Sequence, residues 1–240
     1  MARYVSKTAF TVGLLVLLMA VPALGASINK SIAIDAGEES DGATSVNGSI
    51  SVGDNAVVTG GLRTVNGSIR VDAGAEIESA KTVNGRLRMG EGVSAGDLTT
   101  VNGSIAIGAM AAIDGDISAV NGSISAEQDA TVTGSIENVN GRISLTGAEI
   151  GGDIRTVMGD VELQQSTVQG DLVIEKPSSW NNRTNKNRKP RVVIGPGSRV
   201  EGTIVVEHEI DLFISDEAEV AAVSGIMDLD DAQRFSGDAP

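Results

Sequence analysis

The chain has 240 residues, and its 32 Asp and Glu against 18 Lys and Arg give a formal net charge of −14. Such acidity argues against nucleic acid as the main partner and against anionic surfaces. The chain has 30 glycines, three Phe, one Trp, one Tyr and no Cys, which excludes disulfide bonds and argues against an aromatic globular core. A core of Val, Ile, Leu and Ala with glycine at the corners is what a narrow β-coil can hold.

The N-terminus has the pattern of a secretory signal peptide. Two basic residues precede an apolar run over residues 9–24, which ends in small side chains. We predict that residues 1–25 are removed by cleavage after Gly25, with Ala26 as the other candidate position. An uncleaved anchor is the rival interpretation, but about 16 apolar residues are short of the roughly 20 needed to span a bilayer. We therefore expect a periplasmic or extracellular protein with no membrane span after cleavage.

A short repeat organises the chain from there. Val-Asn-Gly occurs six times, and each Val is followed four residues later by Ile or Leu. The spacings between successive copies are 19, 18, 18, 19 and 19 residues. A fixed period near 18 indicates one small unit stacked many times, each copy burying the apolar face of its neighbour. The six copies begin at Val46, Val65, Val83, Val101, Val120 and Val139.

Each unit contains short runs of alternating apolar and polar residues, broken by Gly, Asp and Asn. Period-2 alternation predicts strands, and the breakers predict corners. Three strands per turn predict an all-β fold, a single-stranded triangular β-helix (β-solenoid) of about ten coils of 18–19 residues. A variant copy at Ile28 and a final coil that starts at Val206 and ends near residues 223–226 place this β-solenoid over residues 26–226. About ten rungs give a rod roughly 45–50 Å long.

A basic, Trp-bearing insertion of about 13 residues interrupts the rhythm at residues 175–191. Loops that project from a scaffold often bind partners, so we predict contact with an anionic cell-envelope component or with the acidic face of another copy. The alternative is a disordered insertion tolerated at a corner. The acidic tail, residues 227–240, is expected to cap the rod or to fray. The candidate binding residues of the insertion are Trp180, Arg183, Lys186, Arg188 and Lys189.

The repeated asparagines are interpreted as a structural ladder. Stacked amides can hydrogen-bond along the rod axis, and Asn before Gly tolerates a positive φ at a bend. The alternative is an array of amides that faces a glycan or an ice lattice. Thr64, Thr82 and Thr100 precede the repeated Val, but Ala119 interrupts them, which weakens an ice-binding interpretation. The ladder residues are Asn47, Asn66, Asn84, Asn102, Asn121 and Asn140.

No constellation for catalysis is visible in the sequence. The only histidine, His208, aligns with a corner glycine and is flanked by two glutamates, which gives a weak case for an enzyme. A stripe of aspartates beside the third strand could hold Ca²⁺, although such stripes are usually solvated corners. We therefore predict no enzyme, no catalytic residue, no metal site and no cofactor. The aspartates in question are Asp97, Asp116, Asp153 and Asp171.

The repeat resembles that of the bactofilins, which are bacterial polymer-forming cytoskeletal proteins, and of related exported adhesin-like β-helix domains. The resemblance is carried by Val-Asn-Gly-Ser-Ile segments interleaved with [Val/Ile]-x-Gly-x-[Ile/Leu] segments, and it covers roughly residues 28–226. It implies a non-enzymatic, right-handed triangular β-helix that assembles end to end. Bactofilins are typically cytoplasmic, whereas this chain begins with a signal peptide pattern. The second set of segments begins at Val58, Ile113, Val132, Ile150, Val168 and Val200.

From these features we expect a non-enzymatic, exported scaffold of the bacterial cell envelope that self-associates end to end. The alternative is a module that binds an envelope polysaccharide or a surface.

Overall fold

The computed structural model describes residues 26–27, 29–177 and 188–240. The predicted signal peptide, Ile28 and the candidate residues Trp180, Arg183 and Lys186 lie outside the described residues. Within them the chain is a β-solenoid of stacked parallel strands, with one 3-10 helix at Leu229–Asp231. The predicted fold class is confirmed. No described helix has the length and apolar character needed to cross a membrane.

The strands form two sheets of 11 and 17 strands, and they fall into three columns. The first column, which we call face one, is the 11-stranded sheet and contains the strand that follows each Val-Asn-Gly. Its strands are Ile32–Ile34, Ile50–Val52, Ile69–Val71, Leu87–Met89, Ile105–Ile107, Ile124–Ala126, Arg142–Thr146, Asp160–Gln164, Arg191–Ile194, Asp211–Ser215 and Gln233–Phe235.

The larger sheet supplies the other two columns, which we call face two and face three in chain order. Strands confined to face two are Glu39–Ser40, Ser94–Ala95, Ala112–Ile113, Thr131–Val132, Glu149–Ile150 and Thr167–Val168. Strands confined to face three are Ala26–Ser27, Ala43–Ser45, Leu98–Asn102, Ile117–Asn121, Ile136–Asn140, Ile154–Thr156 and Leu172–Ile174. Four longer strands run through both faces, namely Val57–Asn66, Glu76–Asn84, Arg199–Val206 and Glu219–Gly225.

On face one, pairing follows the sequence repeat without a slip over the first eight coils, whereas the long strands Val57–Asn66 and Glu76–Asn84 shift register once, between Val58 and Gly61. On face one Ile50 pairs with Ile69, Ile69 with Leu87 and Leu87 with Ile105. These are the residues four positions after each repeated Val. We number the coils by the corner that precedes these residues. Coil one is marked by Asn29, coil two by Val46, coil eight by Val157, coil nine by Glu175 and coil ten by Glu207.

The core is a column of aliphatic side chains that the alternation points inward. In most three-residue strands of face one the outer two side chains are buried and the middle one faces out, as in Ile50–Val52 and Leu87–Met89. None of the described aromatic side chains belongs to this core, as the composition predicted. Burial of Ile, Val and Leu at about 25 cal/mol per Å² of apolar surface stabilises the stack.

The stack is interrupted at coil nine and continues beyond residue 226. Val161 pairs with Val192, and Leu172 pairs with Ile204, so these partners are 31 and 32 residues apart, about 13 more than in a regular repeat. Near the C-terminus Phe213 pairs with Gln233, which adds an eleventh strand to face one. Leu229 in the 3-10 helix packs partly buried against the end of the core.

Candidate functional site

The asparagine ladder is present as a continuous chain of side-chain hydrogen bonds. The Nδ2 group of each ladder residue donates to Oδ1 of the asparagine one coil earlier, over six bonds from Asn140 back to Asn29. The donor–acceptor distances lie between 2.8 and 3.2 Å. All seven amides are exposed; the five inner ones each use one N–H and one lone pair in the ladder, whereas Asn29 only accepts and Asn140 only donates. The ladder therefore ties seven coils together along the rod axis.

The predicted conformation of these asparagines is wrong. In the described chain the non-glycine residues with positive φ are Asn55, Met110, Asp129 and Gln165, and none belongs to the ladder. The glycine that follows each ladder Asn is required by close packing instead. A Cβ on Gly103 would lie 1.8 Å from the carbonyl oxygen of Gly85 in the coil below. A side chain at Gly103 would therefore push coils four and five apart.

The threonines before the repeated Val point into the rod. Thr64, Thr82 and Thr100 are at most 1 % exposed, and each Oγ1 donates to the corner glycine carbonyl of the preceding coil at 2.8–3.3 Å. They satisfy buried carbonyls and cannot present a flat face to ice. Asn138, the residue before Val139, takes this role: its Nδ2 donates to Gly122 O at 3.0 Å, while its buried Oδ1 has no partner among the described residues.

The aspartate stripe also bonds from coil to coil. Asp97 Oδ1 accepts the backbone N–H of Asp116 at 3.1 Å, and Asp153 Oδ1 accepts that of Asp171 at 2.8 Å. A Cβ on Gly115 would lie 2.4 Å from Asp97 Oδ1, so the glycine leaves room for the carboxylate. Over the described chain no group of three or more His, Asp or Glu side chains is arranged to hold a metal ion. The Gly-Asp pairs are therefore explained by packing: the carboxylate bonds to the next coil, and the glycine there leaves room for it.

The described part of the basic insertion is bound to the rod. Arg188 contacts coil eight, where Nη1 donates to Met158 O at 3.1 Å and Nη2 forms an ion pair with Asp160. Lys189 Nζ lies 3.2 Å from Glu209 Oε2 in an exposed ion pair. The structure thus places Arg188 and Lys189 at the base of the insertion, where they make contacts within the chain.

His208 bonds to a corner carbonyl that lacks its regular backbone donor in coil nine, next to the insertion. In regular coils the corner carbonyl accepts the N–H one position further on in the next coil, as Val139 O accepts Met158 N–H at 2.9 Å. In coil nine Lys176 N–H donates to the Glu207 carboxylate instead. His208 Nε2 reaches Val157 O at 2.8 Å and takes the place of the missing donor. The Nε2 atom of His208 is therefore engaged in a bond within the chain.

Two glutamates on this side of the rod have perturbed pKa values. Desolvation by burial raises the pKa of Glu137 above 4.5, opposed by the Arg155 charge, while Asp116 and Glu175 add to the rise. Desolvation likewise raises the pKa of Glu175, again opposed by Arg155 and increased by Glu207. Arg155 lies between them and also pairs with Asp153. This partly buried cluster carries more acid than base.

Another charged surface was not recognised in the sequence. Arg63 is the strand partner of Lys81 on face three, and Arg70 is the partner of Arg88 on face one. Arg86 lies two residues before Arg88 on the same exposed side of its strand. These five residues, which we call the basic patch, flank the asparagine corner of coils three and four. The signal was available, because Lys81 follows Arg63 and Arg88 follows Arg70 by one repeat of 18 residues.

Comparison with known proteins found no matching family model, no matching curated protein and no matching solved structure.

Proposed function

We propose that this protein is a non-enzymatic structural scaffold, exported to the bacterial cell envelope. One observation carries the proposal. The polar residues that recur along the chain are used to bond one coil to the next, through Asn side chains, buried Thr hydroxyls and Asp carboxylates. A chain whose repeated polar groups are used in this way is suited to keeping a fixed length and shape. We also propose that this scaffold is of the bactofilin-like or adhesin-like kind.

The location is periplasmic or extracellular in this proposal, with residues 1–25 acting as the export signal. The basic head and the apolar run of the sequence support it. Cell fractionation followed by N-terminal sequencing tests it. We expect a chain beginning at Ala26 or Ser27 outside the cytoplasm. Recovery of a cytoplasmic chain that begins at Met1 would contradict export.

End-to-end association of copies is part of the proposal, since unpaired strand edges at a rod end can pair with another chain. The first coils carry Asp35 and Glu38, and the last coil carries Glu219, Asp228 and Asp230, all exposed. Both ends are acidic, so repulsion opposes association at low ionic strength and salt weakens that repulsion.

Small-angle X-ray scattering and light scattering of the purified protein test the shape and the assembly together. We expect single rods of about 50 Å at low salt, and longer particles of the same cross-section at about 0.5 M NaCl. A compact particle would contradict the scaffold. Rods of constant length at every salt concentration would contradict self-association and leave a monomeric spacer.

A further inference from the structure

The basic patch concentrates like charges in a chain that is acidic overall. Arg63 and Lys81 are directly opposed on neighbouring strands, and so are Arg70 and Arg88. Like charges at such positions destabilise a sheet. Only Arg70 has a carboxylate partner, Asp72, among the described residues. The patch therefore costs stability and is not explained by the architecture.

In other coils, opposite charges face each other on neighbouring strands. Four arginines elsewhere on the rod each face an acidic residue on the neighbouring strand. These partners are Glu137–Arg155, Arg142–Asp160, Arg191–Asp211 and Arg199–Glu219. In the described chain the side-chain nitrogens of Arg63, Lys81, Arg86 and Arg88 have no carboxylate oxygen within 4.0 Å. Their charges are available to an outside partner.

The asparagine corner lies between the patch residues of face three and those of face one, and its surface suits a sugar. Asn66 and Asn84 are exposed there, and each amide keeps one N–H and one lone pair outside the ladder. Val65 and Val83 lie beside them, partly exposed. Hydroxyl groups suit the amides, apolar ring faces suit the valines, and carboxylate or sulfate groups suit the guanidinium groups. We propose that this corner of coils three and four binds an anionic polysaccharide.

Two further features favour this ligand. Single-stranded nucleic acid is held largely by stacking on aromatic side chains, and residues 26–177 contain no Phe, Tyr or Trp. The acidic remainder of the rod repels a polyanion, but at physiological ionic strength screening limits that repulsion to a Debye length of about 8 Å. The site is distinct from the basic insertion and does not depend on end-to-end assembly.

The test is binding of the intact purified protein to polygalacturonate and to dextran sulfate, by calorimetry at about 0.05 and 0.15 M NaCl. Neutral dextran and a single-stranded DNA oligonucleotide serve as comparison ligands. The patch variant is Arg86→Ser with Arg88→Ala, which installs the residues of the next coil, Ser104 and Ala106. The control variant is Arg142→Ser with Arg199→Thr, which removes the same charge elsewhere and installs the residues of the preceding coil, Ser123 and Thr167.

We expect one of the two charged glycans to bind, at least about tenfold more weakly to the patch variant and almost unchanged to the control. The preferred glycan identifies carboxylate or sulfate as the recognised group. A thermal transition of the patch variant no lower than that of the parent shows that folding is intact. The proposal is overturned by absent binding, by equal losses in both variants, by equal affinity for neutral dextran, or by tighter binding of DNA.

Discussion

The glycine that follows each ladder asparagine sets the spacing between coils, and Gly103→Ala tests this. The added Cβ would lie 1.8 Å from Gly85 O, where ordinary contact begins near 3.4 Å. Coils four and five would have to separate locally by roughly 1.5 Å, because backbone atoms on both sides cannot move aside. The perturbation acts on the stack and leaves the aliphatic core unchanged.

Four hydrogen bonds cross the gap that would open. They are Gly85 N–H to Asn102 O at 3.2 Å, Leu87 N–H to Ser104 O at 2.9 Å, Thr100 Oγ1 to Gly85 O at 3.3 Å and Asn102 Nδ2 to Asn84 Oδ1 at 3.0 Å. Each contributes about 1 kcal/mol. Alanine also lowers the conformational entropy of the unfolded chain, and this stabilises the folded state by about 0.4–1 kcal/mol. We therefore expect a net destabilisation of about 3 kcal/mol.

Gly92→Ala is the matched control one corner away. Gly92 has φ +65°, but a Cβ there meets nothing within 4 Å, so only the left-handed conformation is penalised. We expect a loss of about 1 kcal/mol. Urea unfolding followed by far-ultraviolet circular dichroism measures both variants, and hydrogen exchange of coils four and five localises the change. Equal losses in the two variants, or unchanged exchange at these coils after Gly103→Ala, would refute close packing as the reason for the glycine.

Three other predictions concern the buried polar column, the acidic cluster and the ladder. Asn138→Thr should raise the free energy of unfolding by about 1 kcal/mol, because it removes the unpaired Oδ1 and installs a hydroxyl like that of Thr82, which donates to a corner carbonyl. A lower free energy of unfolding in urea would contradict this. Glu137 and Glu175 have raised pKa values, so their stabilising contribution is present below pH 4.5 and is lost as the pH rises through the folded pKa. In the variant with both residues changed to Gln, the urea concentration at the unfolding midpoint should therefore depend less on pH between pH 4 and 7. The same pH dependence in the variant and the parent would contradict the raised pKa values. Asn102 and the other Asn-Gly pairs should deamidate slowly in the folded rod and quickly in urea, and equal rates by mass spectrometry would show that the ladder is not rigid.

The sequence alone determined the fold and the phase of the coils. Because side chains alternate strictly along a strand and the repeat is nearly constant, the residues four after each Val had to share one buried column. The repeat alone therefore predicts that Ile50, Ile69 and Leu87 stack on one another, and the asparagine ladder follows from the same period.

The tertiary structure decided what each column does across the gap between coils. Whether Gly85 is required by its φ or by an approaching carbonyl depends on the distance between stacked backbones, which a repeat length does not contain. His208 bonds Val157 O only because the insertion removes the regular donor from that corner. The like charges of Arg70 and Arg88 become a patch only when one coil lies on the next. A period tells which residues are neighbours, whereas their function depends on the distance and direction between them.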